Sequence, residues 1–165
     1  MATYASIKYD MDLSSNATGA GGMTLLSTQT ASSDSTIDFT SGIDSTYNEY
    51  VFKYINIHAS ADDDAEMGYQ TGSDLAQSTA FQIIHEEVGN DNDSSTSGEM
   101  WLFNPSSTTY VKHFIAKTEC SWRSNRASTH FVAGYCNVTA AIDAVQFKFA
   151  SGNIDSGTIK LYGIA

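Results

Sequence analysis

The densest group of side chains that could bind a ligand is the acidic stretch that contains Asp62, Asp64 and Glu66. Carboxylate oxygens this close together suit a hard cation such as Ca²⁺, and a loop between two strands could wrap one. The spacing departs from an EF-hand, because counting Asp62 as the first position puts Met67 where that loop requires glycine. A solvated acidic loop is the competing interpretation and the missing glycine favours it. We therefore expect no cofactor, with Ca²⁺ as the single candidate.

Patterns that would indicate catalysis are weak in this chain. The four histidines are scattered singly, and the sequence has no Gly-x-Ser-x-Gly elbow and no Cys-x-x-Cys pair. The adjacent carboxylates of Glu86 and Glu87 could suggest a glycosidase, but neighbouring residues on a strand point to opposite faces of a sheet. We predict that the protein is not an enzyme.

The stretch at 48–58 is apolar on both faces when it is written as a strand. Tyr50, Phe52 and Tyr54 share one face, and Val51 shares the other with two isoleucines. Such a strand must be covered twice, once by a second sheet and once by a loop, an arm or another subunit. We assign Tyr50, Phe52 and Tyr54 to a candidate subunit interface. A loop of the same chain covering that face is the alternative that stays open.

Both arginines of the chain, Arg123 and Arg126, lie in a short stretch that is typical of a hairpin turn. Guanidinium groups at a turn can bind an acidic neighbour, so these two residues join the candidate interface, with a solvated turn as the competing interpretation. Exposed tryptophan or tyrosine could instead stack on sugar rings. A host glycan is therefore kept among the candidate ligands.

The charge distribution excludes one class of partner. The chain has 165 residues and a formal net charge of −11, and it carries no Lys or Arg between Lys53 and Lys112, a span rich in Asp and Glu. An acidic surface repels phosphate backbones, so we expect no nucleic-acid partner. The sequence also has no apolar run near the roughly 18 residues that a spanning helix needs, so we expect no membrane partner. The N-terminus does not resemble a secretory signal.

Side chains alternate with a period of two from residue 24 onward, between clusters of Ser, Thr, Asp, Asn and Gly. This pattern predicts strands at 24–30, 35–40, 48–58, 65–71, 80–88, 99–104, 109–121, 129–139, 142–150 and 157–163. With no convincing helix, the expected fold is all-β, a two-sheet antiparallel jelly-roll-like β-sandwich over 24–165. The last two strands are expected to form a hairpin.

The two remaining features are the first 23 residues and the two cysteines. Residues 1–23 contain a glycine-rich and serine-rich stretch that cannot pack a core alone, which predicts an extended N-terminal arm that needs a partner. Cys120 and Cys136 could pair, but two buried thiols are favoured in a chain without an export signal.

Four stretches resemble small β-sandwich virion proteins of tailed bacteriophages. They are GGMTLLST at 21–28, STIDF at 35–39, IDSTY at 43–47 and the final strand pair at 144–164. The resemblance implies a structural protein of the virion, namely a capsid decoration or cement protein, a head fibre or a tail component. It implies phage capsid or tail proteins as partners and a homo-oligomer, with a trimer favoured, and it transfers no catalytic residue.

The expected function is thus a non-enzymatic virion protein that docks through its N-terminal arm and an apolar sheet face. Many weak contacts of this kind can hold a repeated shell together. The alternative is a carbohydrate-binding module of a phage tail or of a secreted protein.

Overall fold

The structure is a computed structural model that describes residues 22–61, 81–122, 124 and 126–165. Those residues contain eight β-strands and no helix. The strands are β1 (Met23–Thr30), β2 (Ile37–Phe39), β3 (Glu49–Ala59), β4 (Thr96–Phe103), β5 (Lys112–Trp122), β6 (Arg126–Cys136), β7 (Val145–Phe147) and β8 (Ile154–Ile164). The expectation of an all-β chain is confirmed.

The strands form two antiparallel sheets. Six of them pair in the order β1-β8-β3-β4-β5-β6, and β2 pairs with β7 in a second, two-stranded sheet. In the large sheet β1 and β6 are the edge strands. The architecture is β-sandwich-like, with the small sheet covering one face of the large one. We call that covered side the inner face and the opposite side the outer face.

Strand β5 shows why the large sheet has one covered face. Its residues alternate between buried and exposed from Lys112 to Cys120, which is the pattern of an antiparallel strand with one face on a core. Phe114 and Ala116 point inward, whereas Ile115 lies on the outer face and is about half exposed.

A cluster of aromatic rings joins the two sheets. Phe147 of β7 contacts Phe52 and Tyr54 of β3 with ring centroids 5.2 and 5.4 Å apart, and Phe39 of β2 lies 5.3 Å from Phe52. All three pairs are edge-to-face, an arrangement worth about 0.5–1.5 kcal/mol beyond the buried area. These contacts fix which side of β3 faces the core.

A β-bulge at Asn56 changes the facing of β3. Asn56 has a φ of 51°, and the pairing with β4 shifts register between Tyr54 and Ile57. Ile57 is therefore fully buried, whereas Ile55 is exposed on the outer face. Strict alternation along 48–58 predicts both isoleucines on the face of Val51. That prediction was wrong, because the bulge interrupts the alternation.

Two expected strand features are corrected by the structure. Strands β7 and β8 do not pair as a hairpin: β7 pairs with β2, and β8 lies between β1 and β3. The reason is that Val145 and Phe147 are buried against the core from the small sheet, so the chain must cross between layers before β8. The expected strand at 80–88 is irregular over 81–87, where Glu87 has a φ of 51°, and only Val88 forms a bridge, to Trp122. The expected strand at 65–71 lies outside the described residues.

The cysteines lie at opposite ends of the β5–β6 pair. Cys120 is opposite Ser128, and Cys136 is opposite Lys112. Eight residues of strand separate the two ends, about 27 Å, whereas a disulfide requires Cα atoms within about 7 Å. Both are buried thiols, as expected. Of the expected arm at 1–23, residues 1–21 lie outside the described residues, and β1 begins at Met23.

Candidate functional site

A continuous line of apolar side chains crosses the outer face of the large sheet. One residue from each of the six strands pairs with the next across the sheet. In order from β1 to β6 they are Leu25, Tyr162, Val51, Trp101, Ile115 and Ala133. We call this set the apolar row. It runs at right angles to the strands, on the side away from the core.

The centre of the apolar row is tightly covered and its ends are open. Val51 is fully buried although it points away from the core, and its cross-strand neighbours are Tyr162 and Trp101. We attribute its burial to those two large side chains. Leu25 and Ile115, further out in the row, are each about half exposed. An apolar strip with open ends can be completed by a partner surface.

A second line of residues crosses the outer face beside the apolar row, two positions away from it on each strand, and this line is mainly basic. From β8 to β5 it contains Lys160, Lys53, Glu99 and Lys117. We call this set the basic row. Lys53 lies 3.5 Å from Glu99, and the Nζ atom of Lys117 lies 5.4 Å from the centre of the Phe131 ring. A chain with a net charge of −11 and only 8 basic residues thus places three lysines and one acid beside its apolar row.

The outer face also has exposed aromatic side chains near the β6 edge. Phe131 and Tyr135 of β6 are 73% and 58% exposed. A cleft of about 380 Å³ lies on the same face, between Ile55 and the lysines of the basic row. Apolar, aromatic and cationic groups are together on one side of the molecule.

The structure places the three expected interface residues of β3 on the inner face. Tyr50, Phe52 and Tyr54 are buried among the chain's own side chains. Lys53 could have indicated this facing, since it shares a face with Val51, and a lysine in a strand usually points to solvent.

The remaining predicted site residues are separated in the structure or outside the described part. Arg126 begins β6, where its guanidinium lies 4.9 Å from the Trp122 ring and its Nε donates to Ser124 Oγ at 3.1 Å. Arg123 and the candidate calcium ligands Asp62, Asp64 and Glu66 lie outside the described residues. Within 22–61, 81–122, 124 and 126–165, no group of three or more His, Cys, Asp or Glu side chains is arranged to hold a metal ion.

His85 forms a buried polar network that the sequence analysis did not predict. The ring is fully buried, with Nδ1 2.7 Å from Thr118 Oγ1 and Nε2 3.2 Å from Ser128 Oγ. Thr118 donates its only hydroxyl proton to the carbonyl oxygen of Ile84 at 2.8 Å, so it must accept from Nδ1–H. Nε2 is then an acceptor, and Ser128 donates to it. The neutral imidazole is therefore the tautomer that carries its proton on Nδ1.

The network continues to a thiol and a second imidazole. Cys120 Sγ lies 3.5 Å from Ser128 Oγ, and since the Ser128 proton is used toward His85, the thiol is the donor. The His130 ring stacks on His85 with centroids 4.2 Å apart. Burial, and secondarily the charge of His130, lowers the pKa of His85 to about 4. Burial also raises the pKa of the Cys120 thiol, so the thiolate is disfavoured.

The pairing of Ser128 with His85 resembles a nucleophile and its base only in part. In a catalytic triad, a carboxylate behind the imidazole stabilises the imidazolium that forms during the reaction. Here that position is held by the uncharged hydroxyl of Thr118. The geometry fits a satisfied polar network in the core better than an activated nucleophile.

Lys112 is a second buried polar residue whose contacts are within the chain. Its Nζ donates to the carbonyl oxygens of Ala140 at 2.6 Å and Val138 at 3.1 Å. Burial lowers the pKa of Lys112, with the charge of Cys136 acting in the opposite direction. The contacts tie the loop after β6 to the start of β5, which is a structural role.

Comparisons with known proteins do not identify a family: no family model matches the chain, and no curated protein is significantly similar to it. Among the described residues, no helix has the length and apolar character needed to cross a membrane.

Proposed function

We propose that this protein is a non-enzymatic structural protein of a bacteriophage virion, a capsid decoration or cement protein or a surface-fibre protein. It docks through its N-terminal arm at 1–23 and through the outer face of its large sheet, on a fold of jelly-roll style. The observation that supports this best is the apolar row, because it crosses all six strands on the side away from the core.

The composition of the outer face suits contact with another protein. Interfaces combine a desolvated apolar centre with a polar rim, and opposite charges on two partners favour their encounter. The apolar row supplies the centre and the basic row supplies one rim. Although the chain as a whole is acidic, the basic row gives this face a local positive charge, which would attract an acidic surface on a partner. The partner is accordingly a capsid or tail protein with an apolar patch bordered by acids.

On β3, the docking residues lie on the face opposite Tyr50, Phe52 and Tyr54. Phe52 and Tyr54 pack on Phe147 of the small sheet and Tyr50 hydrogen-bonds Asp44, so these three side chains are already covered by the chain itself. Val51 and its neighbours in the apolar row are the proposed docking residues instead. Arg126, at the start of the edge strand, keeps its proposed role toward an acidic neighbour. A homo-oligomer, with a trimer favoured, remains part of this proposal.

The test compares copy numbers in purified particles. Ile115→Glu places a charge in the apolar row, and because Ile115 is half exposed, the fold should lose little stability. The matched control Gln29→Glu puts a charge on an exposed position of β1 that faces away from the outer face, opposite the core residue Ile159. We expect hundreds of wild-type and Gln29→Glu copies per particle, as for a shell protein, and few copies of Ile115→Glu. Wild-type copy number for a folded Ile115→Glu would contradict the proposal.

A carbohydrate-binding module is the second candidate, favoured by the exposed aromatic rings of Tyr110, Phe131 and Tyr135. Such rings can stack on sugar faces. A glycan array with and without EDTA separates the candidates, because an assembly protein should bind no sugar. Sugar binding that EDTA abolishes would favour the module and, with it, calcium at the stretch containing Asp62, Asp64 and Glu66.

A further inference from the structure

The open edge of β6 lacks the features that normally protect an edge strand. Its 11 residues pair with β5 without a register shift, from Trp122 opposite Arg126 to Lys112 opposite Cys136. No described strand pairs with its other side. Between Arg126 and Cys136 the sequence has no proline, lysine or acidic residue. Natural sheets usually block such edges, because the unpaired backbone groups can bind another chain.

The opposite edge strand, β1, is protected in comparison. Its pairing with β8 is interrupted by a register shift between Leu25 and Ser27, and a bulge of this kind twists an edge away from partners. Strand β6 instead presents exposed Phe131 and Tyr135 beside its open edge. Of the two edges, β6 is the better template for an added strand.

Within the N-terminal arm, one segment has the pattern of a strand that would fit this edge. Over 5–13 apolar and polar side chains alternate strictly. The apolar ones are Ala5, Ile7, Tyr9, Met11 and Leu13, and the polar ones are Ser6, Lys8, Asp10 and Asp12. Such alternation is the pattern of a strand with one apolar face. The segment is close to β6 in length.

The length of the arm determines which copy it can reach. Strands β1 and β6 are the two edges of the sheet and run in opposite directions, so β1 begins at the end of the sheet where β6 finishes. Gly22, just before β1, therefore lies at the same end of the sheet as Tyr135. To pair antiparallel with β6 of its own chain, the segment would have to place Leu13 near Arg126, at the far corner. That corner is about 40 Å from Gly22, from about 4.8 Å per strand and 3.4 Å per residue. The nine Cα-to-Cα steps from Leu13 to Gly22 span at most about 30 Å.

The chemistry of the two strands is complementary. If the apolar side chains of the segment lie on the outer face beside Phe131 and Tyr135, its polar side chains lie on the side of Ser128 and His130. Asp10 and Asp12 then approach a strand whose only basic residues are Arg126 and His130. Because β6 has no acidic residue, the two aspartates of the segment meet no like charge on this strand.

We propose that residues 5–13 of one copy add as an antiparallel strand to the open edge of β6 in a neighbouring copy. This inference rests on the proposed role of the arm in assembly and names its partner, a second copy of the same chain. A head-to-tail contact of this kind closes into a ring when the rotation between copies allows it, as in a trimer.

The experiment uses two full-length variants that block opposite sides of the contact. Tyr9→Pro removes a backbone donor from the segment, and the double variant Phe131→Asp/Tyr135→Asp puts acid beside the edge that receives an acidic strand. Both edge positions are exposed, so the fold should be retained, which the unfolding midpoint checks. Thr30→Glu, on β1, is the control. Light scattering coupled to size-exclusion chromatography measures the mass at several concentrations.

We expect an oligomer for the wild type and for Thr30→Glu, and single chains for each blocked variant alone. An equimolar mixture of the two blocked variants should form a species of two chains, because one supplies an intact arm and the other an intact edge. A monomeric wild type, an unchanged mass for Tyr9→Pro, or a mixture that contains only single chains would each overturn the inference. Because this readout is in solution, its failure is separate from failure of the particle test with Ile115→Glu.

Discussion

The imidazole of His85 and the hydroxyl of Thr118 are joined by a 2.7 Å hydrogen bond in which the ring donates. The direction follows from the use of the Thr118 proton toward Ile84. The ring is therefore held neutral, with both nitrogens satisfied inside the protein. Protonation would leave Nε2–H facing the Ser128 hydroxyl, which must then reorient, and would place a charge in a site without a carboxylate partner among the described contacts.

This arrangement predicts a loss of stability in acid. His85 has a pKa of about 4 in the folded chain and about 6.5 when unfolded, so between these values the unfolded chain binds more protons. Its contribution is complete above about pH 6.5, falls as the pH drops, and is lost by about pH 4, at most about 3 kcal/mol. Urea unfolding across that range measures it. His85→Gln, although less stable at pH 7, should show a shallower fall; equal slopes would contradict the assignment.

Two tyrosines on the inner face of β3 give opposite predictions. The Tyr50 hydroxyl accepts from the Asp44 backbone N–H and donates to the Asp44 carbonyl oxygen, both at 3.0 Å. The Tyr54 hydroxyl is buried and has no hydrogen-bond partner among the described residues. Burial raises the pKa of Tyr54 well above its ordinary value, so the phenol is neutral. Its hydroxyl gives up hydrogen bonds to solvent on folding without gaining one from a described residue.

We expect Tyr50→Phe to lower the free energy of unfolding by about 0.5–1.5 kcal/mol, because the backbone N–H and carbonyl oxygen of Asp44 lose the phenol hydroxyl that they hydrogen-bond. Tyr54→Phe removes an unsatisfied hydroxyl and should be neutral or stabilising, within about 1 kcal/mol. Urea unfolding of both variants at neutral pH compares them directly. A larger loss for Tyr54→Phe than for Tyr50→Phe would show that the Tyr54 hydroxyl has a partner.

Lys112 and Lys117 provide a matched pair on one strand. Lys112 is buried and donates to two backbone carbonyls, whereas Lys117 is exposed on the outer face. Lys112→Met should cost about 2–3 kcal/mol, since the carbonyl oxygens of Val138 and Ala140 lose their donor. Lys117→Met should change stability by no more than about 0.5 kcal/mol. Thermal unfolding separates the two, and similar losses would argue against the role assigned to Lys112.

The sequence predicted the strands whose two faces differ and failed where both faces are apolar. Strand β5 alternates cleanly, so its burial pattern could be read from period two. In β3, Tyr50 and Val51 are both fully buried, Tyr50 on the inner face and Val51 on the outer face. Periodicity cannot rank two apolar faces, and the charged residues Glu49 and Lys53 were the signal that marked the outer one. The pairing of β7 with β2 rather than β8 depends on contacts between residues distant in sequence, which local patterns do not contain.

The sequence could predict that the protein has an apolar docking face, but not which residues form it. Doubly apolar strands indicated a docking face, yet the apolar row exists only because the registers of five strand pairs align one residue from each strand. The buried network at His85 gave no sequence signal, because isolated histidine, threonine and serine residues are common in any strand-rich chain. Their meeting depends on an irregular segment that ends at Val88.

The bulge at Asn56 in β3 requires a glycine at position 157 on the neighbouring strand β8. Gly157 has a φ of 110°, and a Cβ there would overlap the carbonyl oxygen of Asn56 on the neighbouring strand. Gly157→Ala should lower the free energy of unfolding by at least about 3 kcal/mol, because it combines backbone strain with a steric clash. Gly22→Ala is the control, since no atom lies within 4 Å of its Cβ position. Denaturant unfolding compares the two, and equal stability would mean that the bulge can move. In that event Ile55 and Ile57 would not be fixed on opposite faces, and the outer face would lose its defined composition.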